Sequence, residues 1–228
     1  MIAFATGNIW QWGPQEDLLK YVKQLGLKGV ELTLARVEGL LDYKVHEEEW
    51  LKTQEHISIH APFQLIRKAK DEKQVVEQLD KIQEIYNKIG AQNVIIHPTD
   101  LPSPALLEKY NFNVSTENLT PRWSGDLESI FSRYDVGLCL DLSHAFLHSK
   151  EESRRLMDLY GDRVTQVHLS GADGINDHLS LRGVSKDFLY SVEVLSSLDV
   201  PIVIEEDIAV KSMNYLFEEV KFILEKYK

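Results

Sequence analysis

The chain has 228 residues, 43% of them apolar, and a formal charge of −11 from 25 Lys and Arg against 36 Asp and Glu. That is the composition of one globular domain, large enough to bury a core without disulfides or a structural metal. Cys139 is the single cysteine, which excludes a disulfide framework and a Cys-rich zinc module and fits a reducing compartment. The acid surplus disfavours nucleic acid as a partner. No basic leader and no run of about 18 apolar residues is present, so a cytoplasmic protein without a membrane span is expected.

In chain order, eight short apolar runs read as buried strands, at 2–6, 29–33, 57–60, 93–97, 113–117, 137–141, 164–168 and 201–205. Between them the period lengthens. Val75, Leu79, Ile82, Tyr86 and Ile89 step by four and three, and Gly90 suits the position after a helix end. Met213, Leu216, Val220, Ile223 and Tyr227 repeat that stripe. Weaker helical segments fall at 15–25, 45–53, 102–109, 125–132, 151–160 and 186–197. Strand then helix, eight times, predicts an α/β fold: a single (β/α)8 TIM barrel over residues 1–228 with a parallel eight-stranded sheet. An open doubly wound sheet ranks second, because Gly-Asn-Ile-Trp-Gln-Trp-Gly at 7–13 is not a phosphate-binding Gly-rich loop.

Six of these runs end on a residue able to bind a metal or move a proton: His60, His97, Glu117, Asp141, His168 and Glu205. All C-terminal strand ends of a parallel barrel open at one mouth, so the six would converge there. By alternation Ser58, Ile95, Ser115, Cys139, Gln166 and Val203 share the inward face, and Glu206 points toward the helices. His144 and His178 lie just past strand ends. His46, His56 and His148 read as surface residues, and Asp100, Asp173 and Asp177 as solvated loop acids. Glu31 either joins the site or pairs with a cation. Trp10, Trp12 and Trp123 either wall the mouth or pack under helices. Arg67, Lys68 and Lys70 form the one basic cluster near the mouth. Three converging carboxylates repel unless protons or a cation intervene, and carboxylates mixed with imidazole suit a divalent Mn, Co, Fe or Zn ion.

The motifs that carry a family likeness run the length of the chain: Gly-Val-Glu-Leu at 29–32, Ser-Ile-His-Ala-Pro at 58–62, Ile-Ile-His-Pro at 95–98, Ser-Thr-Glu-Asn at 115–118, Leu-Asp-Leu-Ser-His-Ala at 140–145, Val-His-Leu-Ser at 167–170, Asp-His-Leu-Ser-Leu at 177–181 and Ile-Val-Ile-Glu at 202–205. Together they resemble the xylose-isomerase-like TIM-barrel superfamily of sugar isomerases, epimerases and endonuclease IV. In the isomerase and epimerase branch the resemblance implies one divalent ion, Zn or Mn, on Glu117, Asp141, His168 and Glu205. There Glu117 and Glu205 move the proton, His144 lies near the substrate, and a small sugar, polyol or sugar phosphate is the partner. Two substrate-binding positions of the ketose 3-epimerases are occupied here by Trp123 and Gly174, with Arg182 as a candidate replacement for the missing Arg. In the endonuclease IV branch it implies three zinc ions, with His60, His97, His144 and His178 as additional ligands. One ligand position of that cluster holds Asn176 instead of Asp. A barrel that binds sugar or metal without catalysis is the third reading.

Overall fold

The computed structural model describes residues 1–44, 49–123 and 125–227. Eight parallel strands close into a barrel in sequence order: β1 (Ile2–Ala5), β2 (Gly29–Thr33), β3 (His56–His60), β4 (Asn93–Ile96), β5 (Val114–Glu117), β6 (Gly137–Asp141), β7 (Val164–Leu169) and β8 (Ile202–Ile204), with β8 pairing back onto β1. The helices outside are α1 (Gln15–Gln24), α2 (Val37–Asp42), α3 (Glu72–Ile89), α4 (Pro104–Leu107), α5 (Leu127–Arg133), α6 (Leu142–His148), α7 (Glu152–Tyr160), α8 (Lys186–Ser191) and α9 (Met213–Tyr227). Among the described residues no helix is long and apolar enough to cross a membrane.

Local chemistry accounts for the element ends. The Asp71 side chain accepts from the Gln74 amide and starts α3, and Gly90 stops it in the left-handed region at φ 69°. The buried stripe of α3 is Val75, Leu79, Ile82, Ile85 and Ile89, with Ile85 in place of the expected Tyr86. Helix α6 directly follows β6, and the apolar periodicity does not predict it. Asp141 caps it through Oδ1, which accepts from the His144 amide at 2.6 Å, so one residue ends a strand and opens a helix. Of the helix expected at 45–53, the described residues show only a single 3-10 turn at 51–53, and α2 ends earlier at Asp42. Residues 45–48, and the expectation for His46 with them, lie outside the described residues. The segment expected at 186–197 divides into α8 and a 3-10 stretch at Val192–Ser197.

The main apolar core lies between the barrel wall and the helices. Inside the barrel the apolar filling is small, with Ala3, Ala5 and Val203 clustering apart from the rest. Most of the interior below the mouth is polar and hydrogen-bonded. His56, read from sequence as a surface residue, is buried there with Nε2 3.4 Å from Gln166 Oε1, because it opens β3 on the inward side. His148 is exposed and faces the Leu119 carbonyl at 2.9 Å.

Candidate metal centre

Glu117, at the end of β5, sits at the middle of the mouth and is buried. Its Oε1 lies 3.1 Å from His168 Nδ1 and 3.5 Å from His144 Nδ1, and its Oε2 lies 3.4 Å from His60 Nε2 and 3.3 Å from His97 Nε2. Glu205, just past β8, brings Oε2 to 2.7 Å from His168 Nδ1. That oxygen sits off the direction of a ring N–H, so it makes no hydrogen bond there. Asp141 spends Oδ1 on Ser143 and the His144 amide while its Oδ2 is buried with no hydrogen-bond partner. The ends of β5 and β6 are tied by a reciprocal pair, the Asn118 side-chain amide donating to the Asp141 carbonyl and the Asp141 amide to Asn118 Oδ1, both at 2.8 Å.

Among the described residues, four groups of side chains place one donor atom each within 4.8 Å of every other in the group. They are Glu117, Asp141, His168 and Glu205; His60, His97 and Glu117; His60, His168 and Glu205; and His144, Asp177 and His178. The first group fits a divalent ion on its own chemistry: three carboxylates and one imidazole, with two buried carboxylate oxygens that no hydrogen bond satisfies. Without an ion, histidines carry the balancing charge. Burial opposes ionisation of Glu117 and Glu205, but His168 beside both, with His60 and His97 at Glu117 and His178 at Glu205, holds Glu117 well below the usual carboxylate range and Glu205 at about 2. Burial likewise opposes charging of His60, but Glu117, Glu31 and Glu205 outweigh it and raise the ring to about 9.

The loop after β7 carries the last group. It is pinned by paired bonds between Gly171 and Leu179, and a Cβ on Gly171 would come within 2.6 Å of the Ser180 carbonyl. His178 adopts a left-handed backbone at φ 51°, a strained conformation for a non-glycine residue, and its Nδ1 faces the Glu205 carbonyl at 2.9 Å. Asp177 is no solvated bystander: Oδ2 lies 3.6 Å from His144 Nε2, because the turn at His178 swings it over the mouth. Asn176 instead donates to Asp173 at 3.0 Å, and Asp173 stays exposed in its turn.

Other expectations divide. Asp100 is fully buried and accepts from the amides of Gln64, Ile66 and Arg67 and from the Arg67 guanidinium, Nη2 to Oδ2 at 3.0 Å, so it organises the loop after β3 and occupies the most direct cation of the basic cluster. Arg182 does not reach the mouth: its Nε pairs with Glu219 of α9 at 2.9 Å. Glu206 turns outward to the same helix and is buried. Trp12 is packed with Nε1 donating to the Ile208 carbonyl, Trp123 is exposed, and Trp10 stands in the wall of a cleft of about 1090 Å³ that opens from Glu205 and His178 toward the loops after β1 and β2. Sequence reasoning missed Arg36, the only Arg or Lys lining that cleft among the described residues. It is exposed and makes no ion pair among them. Nothing in Leu-Ala-Arg-Val marks it; only the course of the loop after β2 brings it there.

No family model matches the chain, and no curated protein matches it in sequence. Solved structures match along its whole length. A D-tagatose 3-epimerase-like protein is 18% identical with a TM-score of 0.65 over 100% of this chain and 99% of that one. Endonuclease IV from Thermus thermophilus is 15% identical with a TM-score of 0.67 over 99% of both chains. The IolI protein with a bound zinc atom is 14% identical with a TM-score of 0.66 over 100% of this chain and 99% of that one. The chain therefore shares the (β/α)8 barrel fold of these proteins.

Proposed function

We propose that the protein is a divalent-metal-dependent isomerase or epimerase of a small sugar, polyol or sugar phosphate. The observation that carries this reading is the group of Glu117, Asp141, His168 and Glu205 at the barrel mouth, with Asp141 Oδ2 and Glu205 Oε2 buried and unbonded. These four residues would hold the ion. When bound, a divalent cation polarises a substrate carbonyl and its neighbouring hydroxyl and acidifies the carbon between them. Glu205 would take the proton from that carbon, and Glu117, anionic among its histidines, would take up a proton from the charged His60, whose Nε2 lies 3.4 Å from its Oε2, before delivering it to the substrate. His144 stands beside Glu117 with Nδ1 on the Asn118 carbonyl at 3.0 Å, and its Nε2 faces Asp177 Oδ2 at 3.6 Å. The cleft that leads to Trp10 and Arg36 has room for a sugar, and Arg36 offers a bidentate partner for a phosphate or carboxylate on it. The likeness to a D-tagatose 3-epimerase-like protein and to zinc-bound IolI agrees with this choice.

A second reading, a zinc-dependent phosphodiester hydrolase, is favoured by one observation: Glu117 belongs to two donor groups at once, and Asp177 supplies a third group with the carboxylate that Asn176 lacks. The acid surplus and the Arg67–Asp100 pair speak against a nucleic-acid surface. Metal content per chain after zinc or manganese loading, followed by turnover assays, separates the readings. About one ion, with sugar turnover lost in Glu117→Gln and Glu205→Gln, is expected. Two or three zinc ions with cleavage of an abasic-site oligonucleotide would replace the isomerase reading with the hydrolase.

A further inference from the structure

His168 differs from the other histidines of the mouth in how its outer nitrogen is held. His60, His144 and His178 each turn Nδ1 to a main-chain carbonyl, of Ala61 at 3.1 Å, Asn118 at 3.0 Å and Glu205 at 2.9 Å, and keep Nε2 for the site. His168 is reversed. Its Nδ1 faces Glu117 and Glu205, and its Nε2 points down the barrel to Glu31 Oε2 at 3.2 Å. Glu31 is fully buried and comes from β2, three strands from β7 around the barrel. The same Oε2 accepts from Ser58 Oγ and Gln166 Nε2, each at 2.8 Å, so the carboxylate is fixed before the imidazole meets it.

The ring nitrogen has a second neighbour, Gln166 Nε2 at 3.1 Å. An amide N–H there would be accepted only by a bare Nε2, which moves the ring proton to Nδ1. The carboxylate and the amide thus favour opposite tautomers. The Glu31 charge favours a proton on Nε2, because a charge-assisted bond outweighs a neutral one. Beneath them runs a buried polar column: Gln166 Oε1 meets Asn93 Nδ2 at 3.3 Å, and Ser115 donates to Asn93 Oδ1 at 3.0 Å. Burying such groups costs stability that an aliphatic filling would not, so a purely structural role explains them poorly.

We propose that Glu31 is a positioning residue of the metal centre: by accepting the Nε2–H of His168 it keeps Nδ1 bare and aimed at an ion held with Glu117, Asp141 and Glu205. Outer partners of this kind orient ligating histidines and raise their basicity. This inference rests on the metal-dependent reading above.

The test uses the full-length chain with zinc as the probe. Zinc affinity is measured calorimetrically for wild type, Glu31→Gln and Gln166→Met, together with thermal unfolding of each metal-free protein and 15N NMR of the His168 ring. Expected are a roughly 10- to 100-fold weaker affinity in Glu31→Gln, undiminished affinity in Gln166→Met, and a metal-free Glu31→Gln protein at least as stable as wild type. In zinc-loaded wild type the ring proton is expected on Nε2. Equal affinities in wild type and Glu31→Gln would remove the role of Glu31, as would an equal loss in both variants. A ring proton on Nδ1 in the loaded wild type overturns it without any variant. If wild type takes up neither zinc nor manganese, the metal-dependent reading itself falls, a distinct result.

Discussion

Two of the places where this barrel buries carboxylates neutralise them differently. At the mouth, Glu117 and Glu205 stand among His60, His97, His168 and His178, which hold both acids ionised. Behind β8, Glu206 and Glu219 face each other with Arg182 beside them, and burial together with Glu219 pushes Glu206 up to about 8. The first arrangement keeps negative charge at neutral pH, and the second removes it with a proton. Donors differ as well. Behind β8 they go to separate atoms, the Leu181 amide to Glu206 Oε1 and Ser180 Oγ to Glu219 Oε1, as in a structural network. Both places leave two carboxylate oxygens without a hydrogen bond, but at the mouth nitrogen and oxygen atoms from several strands crowd toward common points. The comparison teaches that convergence of donors, rather than burial of acid, distinguishes a site built for an ion.

The largest expected effect that bears on this contrast is at Glu117, which two donor groups share. Glu117→Gln should weaken zinc or manganese affinity by about 100-fold or more, beyond what an outer partner gives, whereas Glu206→Gln should leave affinity unchanged. Equal effects in a calorimetric titration would erase the distinction between the two regions. Next in size, Arg36→Gln should raise KM for a phosphorylated sugar by about tenfold, the loss of one charge-assisted contact, with kcat and metal content unaltered. An unphosphorylated substrate should show no such change.

Smaller effects appear in the pH dependence of stability. For the metal-free protein, His60 has a folded pKa of about 9, above its unfolded value of 6.5. Its contribution is therefore complete below about pH 6.5 and lost as pH rises through 9. Zinc should reverse the sign of that slope, since metal binding displaces protons and strengthens as pH rises. Thermal unfolding from pH 5 to 9, with and without zinc, reads both slopes. Glu206 also has a raised folded pKa, so its contribution is present below pH 4.5 and lost as pH rises through about 8. Glu206→Gln should remove that part of the decline with or without zinc; a slope it does not alter would show that the proton is not held there.

The sequence by itself determined the order of the eight strands, most of the helices between them and the residues at the strand ends. Alternation of apolar runs with 3.6-residue stripes is a local signal, and a closed parallel barrel brings every C-terminal strand end to one mouth whatever its loops do. His60, Glu117 and Asp141, each ending a strand, and His168, one residue before the end of β7, were legible for that reason. Only the tertiary structure decided the residues whose role depends on what crosses the barrel or how a loop returns. Glu31 meets His168 across 137 positions of sequence, His56 meets Gln166 across 110, and Asp100 is buried only because the loop after β3 folds over it. Asp177 and Asn176 are neighbours of similar shape, and a single left-handed backbone turn at His178 sends one to the site and the other to a surface turn. Arg182, expected at the mouth, is held by Glu219, whereas Arg36, for which the sequence raised no expectation, lines the cleft and makes no ion pair among the described residues; a guanidinium reads alike in any sequence, and only its partner settles where it is used.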